Sequence, residues 1–159
     1  MTLAKSLLIM ILVAAPTISW SQQDPIEKLA GTWKQDFSQT RPVPSPLPQS
    51  RFHRWELAGK DKMKHISEIV EADGTKTVTE EQTDDYSGKP YPDGDNGQTT
   101  VFRRIDENTI QQIRTGKDGQ IIRFLERVIS TDGKTLTVRQ VGVNAQGKAN
   151  QEIQVYQKQ

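Results

Sequence analysis

The chain has 159 residues, a formal net charge of +1, 26% charged residues and no cysteine. This length allows one ordinary domain, and without cysteine we expect neither a disulfide framework nor a lipid anchor attached through cysteine. Because the charge is balanced and no basic run exceeds the pair Arg103-Arg104, a nucleic-acid partner is not expected.

The first residues have the pattern of a secretory signal peptide. Lys5 is followed by nine apolar residues from Leu7 to Ala15, then Pro16 and the small-residue stretch Ser19-Trp20-Ser21. Nine residues span about 14 Å as a helix, less than half of a bilayer core of about 30 Å, so no membrane anchor is expected. We therefore expect removal of residues 1–21 and a periplasmic or secreted domain over residues 22–159.

The remaining chain begins with a helix signal and continues with strand signals. Asp24 is a potential N-cap, Pro25 follows it and Gly31 ends the turn, which predicts a helix of about one turn. Beyond Gly31, apolar and polar residues alternate with a period of two, as in half-buried antiparallel strands. The alternating sets are Trp33/Gln35/Phe37, His53/Trp55/Leu57 and Ile122/Phe124/Glu126/Val128.

Turn residues divide these strands at fairly regular intervals. Asp118-Gly119, Asp132-Gly133 and Gln146-Gly147 are 14 residues apart, which indicates an up-and-down meander. The proline-rich segment 41–48 predicts a stiff surface connector that covers one barrel mouth, and Asp84 to Gln98 predicts a long loop. The predicted fold is a single antiparallel β-barrel of eight to ten strands; the alternative is an open sandwich or half-barrel without a cavity.

Residues for catalysis or metal binding are sparse. The chain has no G-x-S-x-G motif, and only His53 and His65 are available as an imidazole base. The two histidines would need a third ligand to hold zinc. The segment from Asp93 to Gly97 resembles the start of a calcium loop, but Arg104 stands at its twelfth position. We therefore expect no enzymatic activity, no metal and no cofactor.

Several motifs carry a resemblance to known barrel families. The segment Leu29-Ala30-Gly31-Thr32-Trp33-Lys34 resembles the G-x-W entry of lipocalins and fatty-acid-binding proteins, and the last strand, from Gln154 to Lys158, is similar to that of the fatty-acid-binding proteins. The runs GTWKQDFSQTRPVPSPLPQSRF, DYSGKPYP, RRIDENTI and STDGKTLTV resemble a group of secreted bacterial lipocalin-like proteins of unassigned function. The resemblance implies that Gly31 turns the chain out of the helix and Trp33 closes the barrel base.

The resemblance and the strand parity together predict a binding protein for a small hydrophobic or amphipathic ligand. Fatty-acid-binding proteins hold the ligand carboxylate with an R-x-Y motif, and Gln154 replaces that arginine here. An inward member of the set Arg103, Arg123 and Arg139 would have to replace it. The alternative function is a ligand-free barrel that acts as an envelope interaction or inhibitor module. The candidate ligand-binding residues are His53, Trp55, Leu57, Phe102, Phe124, Arg139 and Tyr156.

Overall fold

The computed structural model describes residues 23–78, 82–143 and 147–159. Within these residues the protein is all-β, with one short helix and one antiparallel up-and-down sheet. The predicted signal peptide, the cleavage point before Gln22 and Gln146 of the last predicted turn lie outside them. In the described part of the chain, no helix has the length and apolarity needed to cross a membrane.

The helix predicted near the N-terminus is present as α1, Pro25–Leu29. The Asp24 carboxylate accepts a hydrogen bond of 3.0 Å from the Ile26 backbone N–H, as expected of an N-cap residue. Ile26 and Leu29 are buried against the barrel. The cap and the two apolar side chains together explain why such a short helix forms.

Within the described residues eleven strands form the sheet, and eight of them have six or more residues, in agreement with the predicted eight to ten. The other three, β4 to β6, have two to four residues and are too short for a periodic pattern. The strands are β1 Gly31–Arg41, β2 Ser50–Gly59, β3 Lys62–Val70, β4 Lys76–Val78, β5 Gln82–Asp85, β6 Tyr91–Pro92, β7 Thr99–Arg104, β8 Thr109–Thr115, β9 Ile121–Ile129, β10 Thr135–Val143 and β11 Ala149–Lys158.

The strand order makes the barrel. It runs β4-β3-β2-β1-β11-β10-β9-β8-β7-β6, and β5 pairs with β3, so the first long strand lies beside the last. In the register of that pair, Trp33 lies opposite Lys158 and Gln35 opposite Tyr156. The barrel is thus built from two hairpin series, one on each side of the β1–β11 pair.

Side chains close the barrel between β5 on one side and β6 and β7 on the other, a junction that we call the seam. No strand pairing joins the two sides in the part of the chain that the structure describes. Instead, the rings of Tyr86 and Phe102 stack with centroids 4.2 Å apart, and the Tyr91 hydroxyl donates to the Asp84 carboxylate at 3.0 Å. Arg104 Nη2 donates to Asp61 Oδ1 at 2.8 Å.

Trp33 anchors the closed end of the barrel, as the G-x-W resemblance implied. Its side chain is fully buried, and its Nε1 donates to the Leu29 carbonyl at 2.8 Å. Gly31 leaves the helix with a φ of 127°, a conformation that favours glycine. The apolar core around Trp33 comprises Ile26, Leu29, Met63, Tyr86, Phe102, Ile110, Ile129 and Leu136, among others.

The connecting segments confirm two predictions and correct a third. Residues 42–49 link β1 to β2, and the turns at Asp118-Gly119 and Asp132-Gly133 join β8 to β9 and β9 to β10. The predicted loop over residues 84–98 is interrupted, because Asp84 lies in β5 and Tyr91–Pro92 forms β6. Backbone pairing with β3 and β7 organises this segment despite its glycine and proline content.

Candidate ligand-binding cavity

The barrel interior holds a small cavity, which we call the deep chamber. Its volume is about 80 Å³. Strands β2, β3, β9, β10 and β11 line it, with side chains of both polar and apolar character. The lining residues are His53, Trp55, His65, Arg123, Leu125, Arg127, Val138, Gln154 and Tyr156.

A second cavity, the mouth chamber, adjoins the deep chamber through Gln154, which lines both. Its volume is about 220 Å³. Pro42 and Pro44 form part of its wall, so the proline-rich connector borders this cavity. The other lining residues are Gln35, Thr40, Arg41, Arg51 and Glu152.

An aromatic wall of three near-parallel rings borders one side of the deep chamber. The Trp55 indole stacks on the His65 imidazole with centroids 4.8 Å apart and an interplanar angle of 7°. The His53 ring lies near-parallel to both, with its centroid 5.3 Å from that of Trp55 and 5.0 Å from that of His65. The three rings meet because Trp55 lies opposite His65 in the β2–β3 register and His53 is two residues from Trp55. The wall offers a flat, polarisable surface to a ligand.

The two histidines of the aromatic wall also share a hydrogen bond, of 2.8 Å between His53 Nδ1 and His65 Nε2. Burial, the neighbouring His65 and the cations Arg127 and Arg51 together lower the pKa of His53 to about 3. Burial, Arg127 and Arg123 lower the pKa of His65 to about 4. Both imidazoles are therefore neutral at pH 7, with one ring donating to the other.

Two arginines of β9 face the aromatic wall across the chamber. Arg127 is only 7% exposed, and its guanidinium lies over the rings of Trp55 and Phe102, 5.9 and 5.5 Å from their centroids. Burial, together with Arg114 and Arg127, lowers the pKa of Arg123 to about 10. Among the described residues neither Arg123 nor Arg127 forms an ion pair.

Several buried donors at this site have no acceptor. Arg127 Nη2 reaches Gln112 Oε1 at 3.4 Å, but Arg127 Nη1 and Arg123 Nε have no partner within the described residues. Trp55 Nε1 is also buried without a partner. Since buried polar groups in proteins are usually hydrogen-bonded, this set of donors indicates a place for an acceptor that the described residues do not supply.

A hydrogen-bonded series on β11 connects the two chambers. The Tyr156 hydroxyl donates to Gln154 Oε1 at 2.7 Å, and Gln154 Nε2 donates to Glu152 Oε2 at 2.9 Å. Burial raises the pKa of Tyr156, so its hydroxyl keeps its proton. Gln154, which stands at the arginine position of the R-x-Y motif, is thus occupied by its neighbours on the same strand.

The structure brings four of the seven predicted ligand-binding residues to the barrel interior. His53, Trp55 and Tyr156 line the deep chamber. Phe102 is fully buried next to it, stacked on Tyr86 and beneath Arg127.

The predicted inward placement of the other three residues is wrong. Leu57 shares the parity of Trp55, but it lies next to the bulge before Gly59 and is 50% exposed. Arg139 points outward from β10, where its Nη1 contacts Glu126 Oε1 at 3.3 Å. Phe124 lies on the same outer face of β9 as Glu126, because Leu125, Arg127 and Ile129 are the residues of that strand that face inward.

The key residue that the sequence pattern did not identify is Arg127. Both faces of β9 carry apolar residues, and the charges at positions 123 and 127 suggested the solvent face. Parity with Leu125 and Ile129 was the available signal, since those two large aliphatic residues flank Arg127 at intervals of two. Of the three arginines considered as carboxylate partners, Arg123 alone lines the cavity.

Metal sites find no support in the part of the chain that is described. No group of three or more potential ligands is close enough to hold a metal ion among residues 23–78, 82–143 and 147–159. Asp93, the first residue of the calcium-like segment, instead pairs with Arg114 at 2.6 Å and accepts from the Thr100 hydroxyl at 2.5 Å. The acidic turn therefore supports the seam side of the barrel.

A larger recess, of about 430 Å³, lies on the outer face of β1 to β4. Its walls include Phe52, Ile66 and Val78, together with Arg54, whose side chain is 52% exposed and paired with Glu56. The charges there are solvated and already paired. The interior cavity is the stronger candidate because its two arginines are desolvated and form no ion pair within the described residues.

Comparison with known proteins shows similarity at the level of fold. No protein-family model and no curated protein matches the sequence. Among solved structures, an asparagine-to-alanine mutant of the fluorescent protein UnaG superposes with a TM-score of 0.56 at 15% identity, covering 84% of this chain and 98% of that one. Wild-type UnaG gives a TM-score of 0.54 at 14% identity, covering 84% and 99% of the two chains.

A zebrafish ileal bile acid-binding protein, solved with cholic acid, has a TM-score of 0.51 at 9% identity. The match covers 83% of this chain and 99% of that one. At these identities the comparisons establish the barrel fold, in agreement with the predicted lipocalin and fatty-acid-binding-protein architecture.

Proposed function

We propose that the protein is an exported, non-catalytic carrier that binds a small amphipathic carboxylate inside its barrel. The observation that carries the proposal is the pair of desolvated, unpaired guanidinium groups of Arg123 and Arg127 opposite the aromatic wall. The bile acid-binding protein with a similar fold, solved with the carboxylate cholic acid, supports a binding role for such a barrel. Export rests on the sequence of residues 1–21 alone.

The charge of the cavity favours an anion. A buried charge without a partner costs several kcal/mol, and an anion in the deep chamber would offset that cost with charge-assisted hydrogen bonds. Arg123 Nε and Arg127 Nη1 supply two free donors, and Trp55 Nε1 supplies a third. A carboxylate has enough lone pairs to accept from all three donors.

The size and the walls of the cavity limit the rest of the ligand. The deep chamber of about 80 Å³ holds the acidic head group against the aromatic wall, and the mouth chamber of about 220 Å³, whose lining is mostly polar or charged, holds a short polar extension. Together the chambers lie at the lower end of the range of about 300–1,000 Å³ that is typical of small-molecule sites. The geometry thus favours a compact carboxylate over a long-chain fatty acid.

Titration with a defined panel tests this proposal. Benzoate, phenylacetate and octanoate, each with its neutral amide as a matched compound, are titrated by calorimetry and by quenching of tryptophan fluorescence. At least one acid should bind with micromolar affinity and its amide about 10–100-fold more weakly, because the amide lacks the charge-assisted hydrogen bonds.

Variants locate the binding site. Arg127→Met should weaken binding of the acid about 10–100-fold, whereas Arg139→Met, which removes an arginine from the outer face, should change it less than twofold. Equal binding of acid and amide, or equal losses in the two variants, would contradict the proposed site. If no acid of the panel binds at millimolar concentration, the carrier proposal fails and the ligand-free module becomes the better explanation.

A further inference from the structure

The hydrogen-bonded histidine pair adds a second property to the cavity. In the neutral pair, one proton lies between His53 Nδ1 and His65 Nε2, and each ring carries one N–H. A further proton can be placed on the distal nitrogen of the donating ring, and the shared hydrogen bond then becomes charge-assisted. A second extra proton would place an N–H group on both His53 Nδ1 and His65 Nε2, so that the two donors would repel each other and the hydrogen bond would be lost. The pair therefore has room for one proton while its geometry is kept.

The surroundings of the pair explain why that proton is absent from the empty cavity. The cations that act on the two rings are Arg51 from β2 and Arg123 and Arg127 from β9. All three disfavour an imidazolium, and burial acts in the same direction.

Asp84 partly compensates Arg127, and Glu152 and Asp93 partly compensate Arg123, but no carboxylate among the described residues shifts the pKa of either histidine. From β11, Tyr156 meets the His53 ring edge-on at 5.1 Å and is neutral, and Gln154 is an uncharged amide. Glu152 lies in the mouth chamber and accepts from Gln154. From β5, Gln82 lies opposite His65 in the register, and Asp84 on the same strand is hydrogen-bonded to Gln82 and Tyr91.

An anion bound between Arg127 and the aromatic wall reverses this balance. It lies in the same chamber as His53 and His65, and its charge compensates the arginines that oppose imidazolium formation. We propose that the His53–His65 pair is a proton-binding site that fills when the deep chamber takes up an anion, so that anion and proton bind together. This inference rests on the proposed anion-binding function and adds a coupled proton to it.

The test uses benzenesulfonate as the probe, because its charge does not change between pH 5 and pH 8. Calorimetry of the full chain in buffers of different ionisation enthalpy gives the number of protons taken up with the probe. We expect uptake to rise toward one proton as the pH falls from 8 to 5. The affinity should increase over the same range, at most tenfold for each pH unit.

The variants His65→Gln and His53→Gln remove the pair and keep a polar side chain in place. The affinity of each variant at pH 8 serves as its own reference, and from that reference both proton uptake and the increase in affinity between pH 8 and pH 5 should be lost. If a variant does not fold, the histidine ring resonances of the unaltered protein are followed by NMR with and without saturating probe. Higher histidine pKa values with the probe support the proposal, and unchanged values overturn it.

Failure of the coupled-proton inference and failure of the proposed anion site give different results. If the sulfonate binds without proton uptake and with the same affinity from pH 8 to pH 5, the coupled-proton inference is wrong and the anion site stands. If neither the sulfonate nor any carboxylate of the panel binds at any of these pH values, the anion site itself is wrong, and the inference falls with it.

Discussion

At the scale of single residues, Arg127 combines a structural disadvantage with a binding role. Its guanidinium is desolvated between Trp55 and Phe102, and among the described residues it has one weak hydrogen bond, to Gln112, and no ion pair. An apolar residue of similar length would fit the same space without the cost of desolvating a charge. A residue that lowers stability at a cavity wall is typical of a functional site.

Arg127→Met should therefore stabilise the ligand-free protein, by about 1–4 kcal/mol in the free energy of unfolding. Urea denaturation at pH 7.5, compared with Arg139→Met at the exposed ion pair with Glu126, measures the difference. The control should lie within about 0.5 kcal/mol of the unaltered protein. Destabilisation by Arg127→Met would show that the packing and hydrogen bonding of Arg127 stabilise the fold by more than the desolvation of its charge destabilises it.

The histidine pair predicts a pH-dependent stability. The pKa of His53 falls to about 3 and that of His65 to about 4 in the folded state, below the ordinary value near 6.5 in the unfolded chain. Between pH 6.5 and pH 5 the unfolded chain binds more protons, so stability falls as the pH falls. Each histidine should account for about 2 kcal/mol of loss at pH 5.

Urea denaturation at pH 7.5, 6.5, 5.8 and 5.0 checks this dependence above the range where most carboxylates titrate. The double variant His53→Gln with His65→Gln should lose most of the pH dependence. If the free energy of unfolding of that variant depends on pH as steeply as that of the unaltered protein, groups other than the two histidines cause the loss of stability at low pH.

Residue roles were predictable from sequence where side-chain size and parity agree. Trp33 and Trp55 are large, apolar and in phase with their strands, and both are buried as expected. Arg127 was not predictable from charge, because its inward position depends on stacking partners from distant strands. The inward placement predicted for Phe124 was wrong because apolar residues occur on both faces of β9, so apolar character alone does not identify the inner face.

At the scale of elements, the seam differs from the rest of the sheet because side chains replace backbone pairing there. Arg104 on β7 has a central place in it. Its Nε contacts Asp24 Oδ1 at 3.0 Å and its Nη2 contacts Asp61 Oδ1 at 2.8 Å, so one side chain joins β7 to the start of α1 and to the β2–β3 turn. Both contacts are partly shielded from water, which makes them stronger than exposed ion pairs.

Arg104→Gln should lower the free energy of unfolding by about 1–2 kcal/mol, because two carboxylates lose a charge-assisted partner. Arg103→Gln, one residue away on the opposite, exposed face, should change it by less than about 0.5 kcal/mol. Denaturant unfolding of the two variants provides the comparison. Equal effects would indicate that the seam does not depend on these ion pairs.

The elements themselves were predictable to different degrees. The α1 cap and the hairpins at Gly119 and Gly133 follow from local turn chemistry, which the sequence displays directly. Strands β5 and β6 do not, because they are short and form only where the edges of β3 and β7 offer backbone partners. The seam contacts between Tyr86 and Phe102 join residues with no pattern in common.

At the scale of the whole molecule, the sheet should show a gradient of local stability. Strands β9, β10, β11 and β1 are paired on both sides and form long, continuous ladders. Strands β4 and β6 end the strand order, and β5 pairs on one side only. Regions with few backbone partners open more easily than the body of a sheet.

Hydrogen exchange read out by mass spectrometry should therefore show slow exchange in peptides from residues 121–143 and 149–158. Peptides covering residues 76–78 and 82–92 should exchange at least about tenfold faster. Saturating carboxylate should slow exchange further in β2, β9 and β11, which line the chambers. Uniform exchange across the sheet would contradict the proposed gradient.

The position of β11 between β1 and β10 determines when the barrel can fold during synthesis on the ribosome. β1, the first strand of the sheet in chain order, pairs with β11, its last strand. In addition, Lys158 Nζ donates to the carbonyl of Lys28, which lies 130 residues earlier in the sequence. Such long-range closure is slow and cannot begin before the final strand has emerged. The β1–β11 ladder, and the barrel that it helps to form, therefore cannot be completed while β11 is still being synthesised.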